Sequence, residues 1–361
     1  MSIAALAVFA MRKKISLRQR MVITQALSLN DMSSAVRIQK WVLGGSLAVQ
    51  FIGALILTLR FLPAYGLSQA AAWGVFHSVS AFCNAGFDIF GSVAPGQSVG
   101  IWNNDPVVCL TLMVLIIVGG LGFLVWEELA RVRSFRKFSV YTRLVLITSL
   151  LLVLGGGLMI LLLEWNNPHT LGQMPVGQKI LNSVFQATTL RTAGFTSIDQ
   201  AGLTEGGKAV SMLLMFVGGS SGSTAGGVKT VTIIVLALFL WSRARGKNTV
   251  TVFRSTIPNE KVLDAVTIVA IMAGLAIFGG IFISITSPVG LIDGMYESVS
   301  ALATVGLSAG VTSQLSISAQ LLMILFMYFG RVGVLTISLG FLMGDRAEER
   351  YRYAKTNLLI G

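Results

Sequence analysis

Three segments of the chain, residues 76–87, 184–195 and 296–307, align with one another on a glycine without gaps. Each has a hydroxyl residue six positions before the glycine, a small polar or amide residue two positions before it, and a large apolar residue directly after it. The hydroxyl residues are Ser80, Thr188 and Ser300. The residues centred on the glycines are Asn84, Ala85, Gly86, Phe87, Thr192, Ala193, Gly194, Phe195, Thr304, Val305, Gly306 and Leu307. The glycines are 108 and 112 residues apart, a period far too long for a solenoid and typical of a repeated pore-forming module.

Glycine at these positions suits the chemistry of a dehydrated cation. A ring of backbone carbonyl oxygens can replace the water shell of the ion. Successive carbonyls can point inward only if the backbone takes conformations that are barred to most residues and open to glycine. A short helix that ends near the ion also directs the negative end of its dipole toward it. Ordinary turn glycines are the alternative, but three loops in register favour a selectivity filter for a small cation.

A second segment is rich in glycine and serine and interrupts the apolar stretch of residues 207–241, which is too long for one membrane crossing. Its residues are Gly218, Gly219, Ser220, Ser221, Gly222, Ser223, Thr224, Ala225, Gly226 and Gly227. Such a break at membrane depth belongs beside water or protein, and we interpret it as a flexible gate beneath the filter. A packing seam of small residues between helices is the alternative. A nucleotide-binding P-loop is rejected because Val228 separates Gly227 from Lys229 and because the segment lies inside an apolar span.

Arg331 lies in the middle of the last apolar stretch. A charge at this depth is costly and usually faces the interior of a helix bundle. We therefore interpret Arg331 as a positive charge that lines the pore near the gate, with a structural ion pair as the alternative. Lys229, at the end of the broken segment, is a weaker candidate of the same kind.

Acidic residues fall on the outer side of the expected topology. They either concentrate cations at the mouth of the pore or are ordinary solvated loop residues. They are Asp88, Asp105, Glu164, Asp199 and Glu205. Glu297 is expected at the start of the last pore helix, where a carboxylate suits the positive end of the helix dipole.

The elements that position these residues are membrane helices. Hydrophobic residues make up 54% of the 361 residues and charged residues only 12%, which is too few to cover the surface of a soluble domain. Apolar stretches long enough to span a membrane recur along the chain. They include Trp41–Leu59, Val107–Trp126, Leu144–Leu163, Val262–Ile285 and Ile317–Met343. The sequence predicts an all-α integral membrane protein.

The net charge of +12 resides mainly in four basic clusters between the apolar stretches, within residues 12–40, 131–143, 243–261 and 346–355. Short basic loops stay in the cytoplasm, so we expect a multi-pass protein of the plasma (inner) membrane with basic loops and C-terminus inside. This distribution favours contact with membrane lipid over nucleic acid. Neither the cysteines nor the histidines have a metal-ligand pattern, and no catalytic set such as HExxH is present. We expect no enzyme, and no metal beyond the transported ion.

The basic clusters also fix the topology. Between the first two clusters, two long spans flank residues 70–83, which are too few to cross. With both clusters inside, this piece must enter the membrane and return on the same side. The sequence thus predicts units of helix, re-entrant pore loop and helix around one central pore. They are residues 37–137, 138–247 (with the broken second helix) and 248–361 (with a cytoplasmic tail), preceded by residues 1–36 as the remnant of another unit.

At these residues the chain resembles the Trk/Ktr/HKT superfamily of potassium transporters, in particular the KtrB-like membrane subunits. The matching pieces are residues 80–88, 189–197, 218–230, 300–308 and 330–333. The resemblance implies four pseudo-repeats around one pore, a homodimer with a pore in each protomer, and a cytoplasmic ring of nucleotide-binding regulatory subunits. It also implies K⁺ as the transported ion, with Na⁺ coupling as one option, no cofactor bound by this chain, and an arginine near the gate that matches Arg331.

The sequence departs from this family pattern in showing three filter loops rather than four. A step of about 110 residues back from Gly86 falls before Met1, by the repeat period that the loops themselves define. Residues 2–11 amount to half a span. We expect that the first helix and pore loop are missing from this chain and that it does not complete the pore alone.

The function expected from these patterns is K⁺ uptake across the plasma membrane through a glycine-lined filter, gated by the intramembrane loop. A secondary transporter of another small solute is one alternative, because broken helices occur in that class. An inactive truncated subunit is the other.

Overall fold

The structure, a computed structural model, describes the backbone of residues 35–332 apart from residue 133, and side chains from residue 42 onward. The expectations for residues 1–34, for the C-terminal tail and for the end of the last apolar stretch lie outside the described residues. Helices dominate the described range. They are α1 (Ala35–Phe82), α2 (Pro106–Gly120), α3 (Phe123–Arg131), α4 (Val140–Glu164), α5 (Val176–Thr189), α6 (Glu205–Phe216), α7 (Thr230–Ala244), α8 (Asn259–Thr286), α9 (Leu291–Leu302) and α10 (Ile317–Val332).

The long element α1 consists of two helical limbs that meet at Gly66, where φ is 73°. The second limb folds back along the first, since Ser78 Oγ donates a hydrogen bond to the carbonyl of Gln50 at 2.6 Å. Gly74 lies so close to Thr58 that a Cβ would collide with it. The short piece of residues 70–83 therefore runs back beside its own span, an arrangement that suits the predicted re-entrant loop.

The other two pore helices repeat this arrangement. Helix α5 lies against α4, and α9 lies against α8, where Ser298 Oγ donates to the carbonyl of Ala276 at 2.9 Å. Small residues allow the close approach: a Cβ on Gly157 would press on Val184, and one on Gly280 would press on Met295. Ser78 and Ser298 both stand eight residues before their filter glycines, so the same contact recurs in two of the three loops.

The expected single span of residues 107–126 is wrong in one respect. Helices α2 and α3 are bent by 98° at a break around Gly122, whose φ is 87°. A glycine with positive φ ends one helix and lets the next start in a new direction. The hydrogen bonds that the break leaves unmade are replaced by contacts with the glycine- and serine-rich segment, described below.

Three helices of the described range are long and apolar enough to cross a membrane, or four if the bent pair α2–α3 counts as one span. Helices α7 and α10 are shorter apolar helices. Large apolar side chains such as Leu151 on α4 and Ile285 on α8 are exposed, as expected of surfaces that face lipid. A two-stranded antiparallel hairpin, β1 (Val250–Val252) and β2 (Ser255–Ile257), follows α7. The prediction of an all-α membrane protein is confirmed, with this short hairpin as an addition.

Candidate ion-conduction site

The three glycine loops share one backbone conformation. The glycine has positive φ in each loop, 72° at Gly86, 89° at Gly194 and 91° at Gly306. The residue two positions before it also has positive φ, 49° at Asn84, 62° at Thr192 and 56° at Thr304. The residue between them does not. This alternation turns successive peptide groups toward one side, which a filter of backbone carbonyls requires.

Positive φ at Thr192 and Thr304 is a true steric outlier, because threonine is branched at Cβ. Such strain costs on the order of 1–3 kcal/mol and persists only where the surrounding structure imposes it. The hydroxyl oxygens of both threonines are buried and have no hydrogen-bond partner among the described residues. The strain and the unpartnered oxygens coincide at two of the three filter loops.

Glycine is also required because the loops touch one another. A Cβ on Gly86 would collide with the carbonyl oxygen of Ala193, and one on Gly194 would collide with the carbonyl oxygen of Val305. On Gly306 a Cβ would meet no atom of the described residues within 4 Å. The first loop thus packs against a carbonyl of the second at its glycine, and the second packs in the same way against a carbonyl of the third.

A hydroxyl on each pore helix holds the far side of its filter loop. Ser80 Oγ donates to the carbonyl of Phe87 at 2.7 Å, and Ser300 Oγ donates to that of Leu307 at 2.6 Å. In the middle loop Thr189 Oγ1 makes this bond to Phe195 at 2.7 Å, while Thr188 donates to the carbonyl of Val184 within α5. The sequence alignment pointed to Thr188. The structure gives the role to Thr189 because α5 ends one residue earlier, relative to its glycine, than the other two pore helices.

A second contact recurs nine residues before the glycine. There His77 Nε2 lies 3.5 Å from the backbone nitrogen of Ile89, and Glu297 Oε1 accepts from that of Ala309 at 3.0 Å. Helix α9 begins at Leu291, so Glu297 is in its middle rather than at its start. The expected dipole contact of Glu297 is therefore wrong, and its carboxylate instead holds the loop that follows the third filter segment.

Polar side chains also link the middle loop to its neighbours. Asn84 Nδ2 donates to the carbonyl of Arg191 at 3.3 Å. Gln186 and Gln200 form a reciprocal amide pair at 2.6 and 3.1 Å, and Tyr296 donates its hydroxyl hydrogen to Gln200 at 3.0 Å. These last three side chains are buried. Sequence reasoning missed them, although an amide inside a buried helix face was a usable signal.

The glycine- and serine-rich segment forms a closed loop between α6 and α7. Its two ends meet at a parallel bridge between Val217 and Val228, where Gly218 N donates to the carbonyl of Val228 at 2.9 Å. The loop is attached to the α2–α3 bend. Ser220 N donates to the carbonyl of Gly120 at 3.0 Å, and Phe123 N donates to that of Gly222 at 3.1 Å.

The tip of this loop lies against the ends of two pore helices. Thr224 Oγ1 lies 3.1 Å from the carbonyl oxygen of Phe82 and 3.0 Å from Asn84 Oδ1. Gly226 packs so closely on Thr304 that a Cβ would collide with its hydroxyl. The loop therefore touches the first and the third filter segments at the residues with positive φ.

Two cationic side chains donate to consecutive carbonyls of the loop tip. Arg331 Nη1 donates to Thr224 at 2.7 Å, and Lys229 Nζ donates to Ala225 at 2.8 Å. Within residues 42–332 no carboxylate lies within 4 Å of either charge. The structural ion pair weighed for Arg331 is not formed there, and its contact is with the loop.

The acidic residues expected at the outer side differ from one another. Asp105 is paired with Arg60 and caps α2. Glu164 is fully buried and accepts hydrogen bonds from Thr204, Asn167 and Thr170. Because Asp105 is ion-paired and Glu164 is buried and hydrogen-bonded, neither attracts ions in the way a solvated carboxylate does.

Asp88, Asp199 and Glu205 remain at least partly exposed. Asp199 borders a cavity of about 480 Å³ that is also lined by Thr196, Gln200 and Ser308, residues that follow the second and third filter glycines. These lining residues follow the glycines, whereas the glycine- and serine-rich loop contacts Asn84 and Thr304, which precede them. Of the five carboxylates, Asp199 is the one that lines this cavity.

The role of Thr189 gives a direct test of the filter geometry. Replacing Thr189 with valine keeps its shape and leaves the Phe195 carbonyl without a donor, at a cost of about 1–3 kcal/mol. We expect K⁺ to raise the midpoint of thermal unfolding of the purified wild-type protein and to raise that of Thr189→Val much less. Thr188→Val is the matched control and should respond to K⁺ like the wild type. If Thr188→Val loses more of the K⁺-induced rise in unfolding midpoint than Thr189→Val does, the assignment of this role to Thr189 is wrong.

Known cation transport proteins resemble this chain in sequence. The model of a family described as "TrkH: Cation transport protein" matches residues 1–349. The potassium/sodium uptake protein NtpJ of Enterococcus hirae is 34% identical over 355 residues, which cover 97% of this chain and 77% of that protein. The Ktr system potassium uptake protein B of Bacillus subtilis is 35% identical over 352 residues, covering 97% and 78%.

Among solved structures, the potassium transporter TrkH from Vibrio parahaemolyticus superposes with a TM-score of 0.69 at 19% identity. The match covers 89% of this chain and 67% of that one. At this identity the similarity concerns the fold.

Proposed function

Since this chain belongs to the TrkH family of cation transport proteins, we propose that it takes up K⁺ across the plasma membrane through a filter formed by its glycine loops. It is a multi-pass membrane protein that transports cations and is not an enzyme. The proposal of K⁺ is supported by the relatives, which are named for potassium or for potassium and sodium uptake. Na⁺ coupling belongs to the same proposal.

The observation that carries the filter proposal is the backbone alternation repeated in all three loops. K⁺ gives up its water at low cost only if oxygens already stand where the water oxygens were. The carbonyls of Ala193 and Val305 accept no backbone hydrogen bond among the described residues, so in this proposal they are available to an ion on an axis that the loops share. The three pore helices end at these loops and direct the negative ends of their dipoles there.

The glycine- and serine-rich loop is proposed as the gate. Its tip contacts Asn84 and Thr304, which belong to two filter segments, so it obstructs the exit from the filter in the conformation described. It can leave only if the hydrogen bonds that Arg331 and Lys229 make to its tip are broken. Because both donors are charged, these bonds are stronger than neutral ones and contribute about 1.5–3 kcal/mol each.

Arg331 and Lys229 are assigned a second effect on the ion. A positive charge beside the exit repels K⁺ when the gate is closed, and the repulsion is strong where little water screens it. Both effects act in the same direction. The two side chains keep the closed loop in place and keep cations away from it.

The remaining proposals concern assembly. The name of the relative as protein B of a Ktr system supports a membrane subunit that works with regulatory partners. We propose a homodimer with one pore in each protomer and a cytoplasmic nucleotide-binding ring, on the side of the basic clusters. The unit boundaries at residues 37–137, 138–247 and 248–361 are part of this proposal.

The preference for K⁺ over Na⁺ in a glycine variant tests the proposed filter. In cells that lack K⁺ uptake and express this protein, Gly194→Ser should lower the preference for K⁺ over Na⁺ by about tenfold, a change of about 1.4 kcal/mol in relative binding. Rb⁺ and Na⁺ uptake would be measured in parallel. Gly246→Ser is the matched control, because Gly246 also has positive φ (70°) but lies after α7, in open surroundings. Unchanged selectivity in Gly194→Ser would exclude a filter at this loop.

K⁺ flux through variants of the glycine- and serine-rich loop and of Arg331 tests the proposed gate. Arg331→Gln replaces the charged hydrogen bond to Thr224 with at most a neutral one, a loss of about 1–1.4 kcal/mol. We expect K⁺ flux to rise by about five- to tenfold. Arg245→Gln is the control, because Arg245 stacks on Trp241 at the end of α7. Deletion of residues 220–226 should raise flux further. Reduced flux in both gate variants, with normal assembly on size-exclusion chromatography, would favour the packing seam over the gate.

A further inference from the structure

The middle filter loop contains a buried positive charge. Arg191 stands three residues before Gly194, and its side chain is only 6% exposed. The equivalent positions in the other two loops hold Cys83 and Ala303, which are neutral. Neither the proposed filter carbonyls nor the proposed gate uses this guanidinium.

The guanidinium has few partners. Its Nη2 donates to Ser149 Oγ on α4 at 3.2 Å, and its Nε has no hydrogen-bond partner. In the part of the chain that the structure describes, no carboxylate lies within 4 Å of it. A buried cation that lacks an anionic partner is strongly disfavoured unless other negative charge compensates it.

The compensating charge available is the end of the pore helix. Helix α5 ends at Thr189, two residues before Arg191, and the C-terminal end of a helix carries the equivalent of about half a negative charge. The same helix end is directed at the proposed ion position. Arg191 and a filter ion therefore draw on the same negative charge.

This arrangement makes the filter asymmetric. Just after the pore limb of α1 and after helix α9, the positions equivalent to Arg191 hold the neutral residues Cys83 and Ala303, so the negative ends of these helices act on the ion undiminished. At the middle loop Arg191 offsets the end of α5. An ion that conducts must be bound strongly enough to enter and weakly enough to leave.

We infer that Arg191 is an affinity-setting charge: buried behind the middle filter loop beside the end of α5, it weakens K⁺ binding so that the ion is released. This inference rests on the proposed filter. A purely structural anchor would act instead through the hydrogen bond between Arg191 and Ser149. The two roles separate cleanly, because one depends on the charge and the other on the bond.

Three variants separate the charge from the bond. Arg191→Gln loses the charge and keeps an amide donor on a shorter side chain. Arg191→Lys keeps the charge and changes the donor geometry, and Ser149→Ala keeps the charge and removes the bond. Where Arg191→Gln does not assemble, Arg191→Met is the neutral replacement, since a buried charge is often exchanged for an apolar side chain of similar size without loss of stability.

The first measurement is K⁺ uptake by uptake-deficient cells that express the protein. The second is K⁺ binding to the purified protein, measured by titration calorimetry. For the neutral variant we expect the K⁺ concentration for half-maximal uptake and the dissociation constant to fall by about threefold or more. Arg191→Lys and Ser149→Ala should stay within about twofold of the wild type in both measurements, because the charge is kept.

Two results would overturn the inference. Unchanged K⁺ affinity in the neutral variant would exclude the proposed role of Arg191 without excluding the proposed filter. Weaker K⁺ binding in all three variants, with lower thermal stability, would show a structural anchor. Absence of any K⁺ binding and uptake by the wild type would instead overturn the proposed function itself, together with this inference.

Discussion

The packing of backbone carbonyls against glycines at the centre of the molecule is the constraint on which the other features depend. In the proposed filter, oxygens can face an ion only if the backbone alternates the sign of φ, and two threonines have positive φ. Such a backbone has polar groups that are not paired within a helix, and it cannot be exposed to lipid. The surrounding spans and the pore helices that fold back along them, such as the second limb of α1 along the first, provide the enclosure. Hydroxyl contacts at Phe87, Phe195 and Leu307 then hold each loop in place.

Positive charge is arranged around this centre in a consistent way. Arg331 and Lys229 donate to the tip of the glycine- and serine-rich loop, and Arg191 lies behind the middle filter loop. Opposing them are the negative ends of the three pore helices. In the proposed mechanism the balance between these charges decides how tightly K⁺ is held and when the loop moves. It explains why the chain keeps cations at membrane depth, where each of them is costly.

Much of the architecture could be read from the sequence because it follows from simple periodicities. Span length, basic clusters and the spacing of three glycines predicted the membrane helices and located the loops whose backbones share positive φ. The bend at Gly122 could not be read in this way. The chain there stays apolar throughout, and the break is stabilised by hydrogen bonds from Ser220 and Phe123 to partners about 100 residues apart in the chain.

The contacts of single side chains were also beyond prediction from the sequence. Alignment favoured Thr188, but the loop is held by Thr189, since a shift of one residue in the end of α5 is invisible in a gap-free alignment. Glu297 was expected at the start of its helix. The expectation failed because the distance of Glu297 from the glycine does not determine where α9 begins. The burial of Glu164 depends on donors such as Thr204, which is 40 residues away in the chain.

In the proposed function, a dehydrated cation binds among the carbonyls of the three glycine loops. The most direct measurement is anomalous diffraction from crystals of the protein soaked in Tl⁺, a substitute for K⁺. If the proposed filter is correct, a Tl⁺ peak lies in direct contact with the carbonyl oxygens of Ala193 and Val305, and K⁺ displaces it while Na⁺ does not. A peak elsewhere in the chain, or none at these carbonyls, would contradict it.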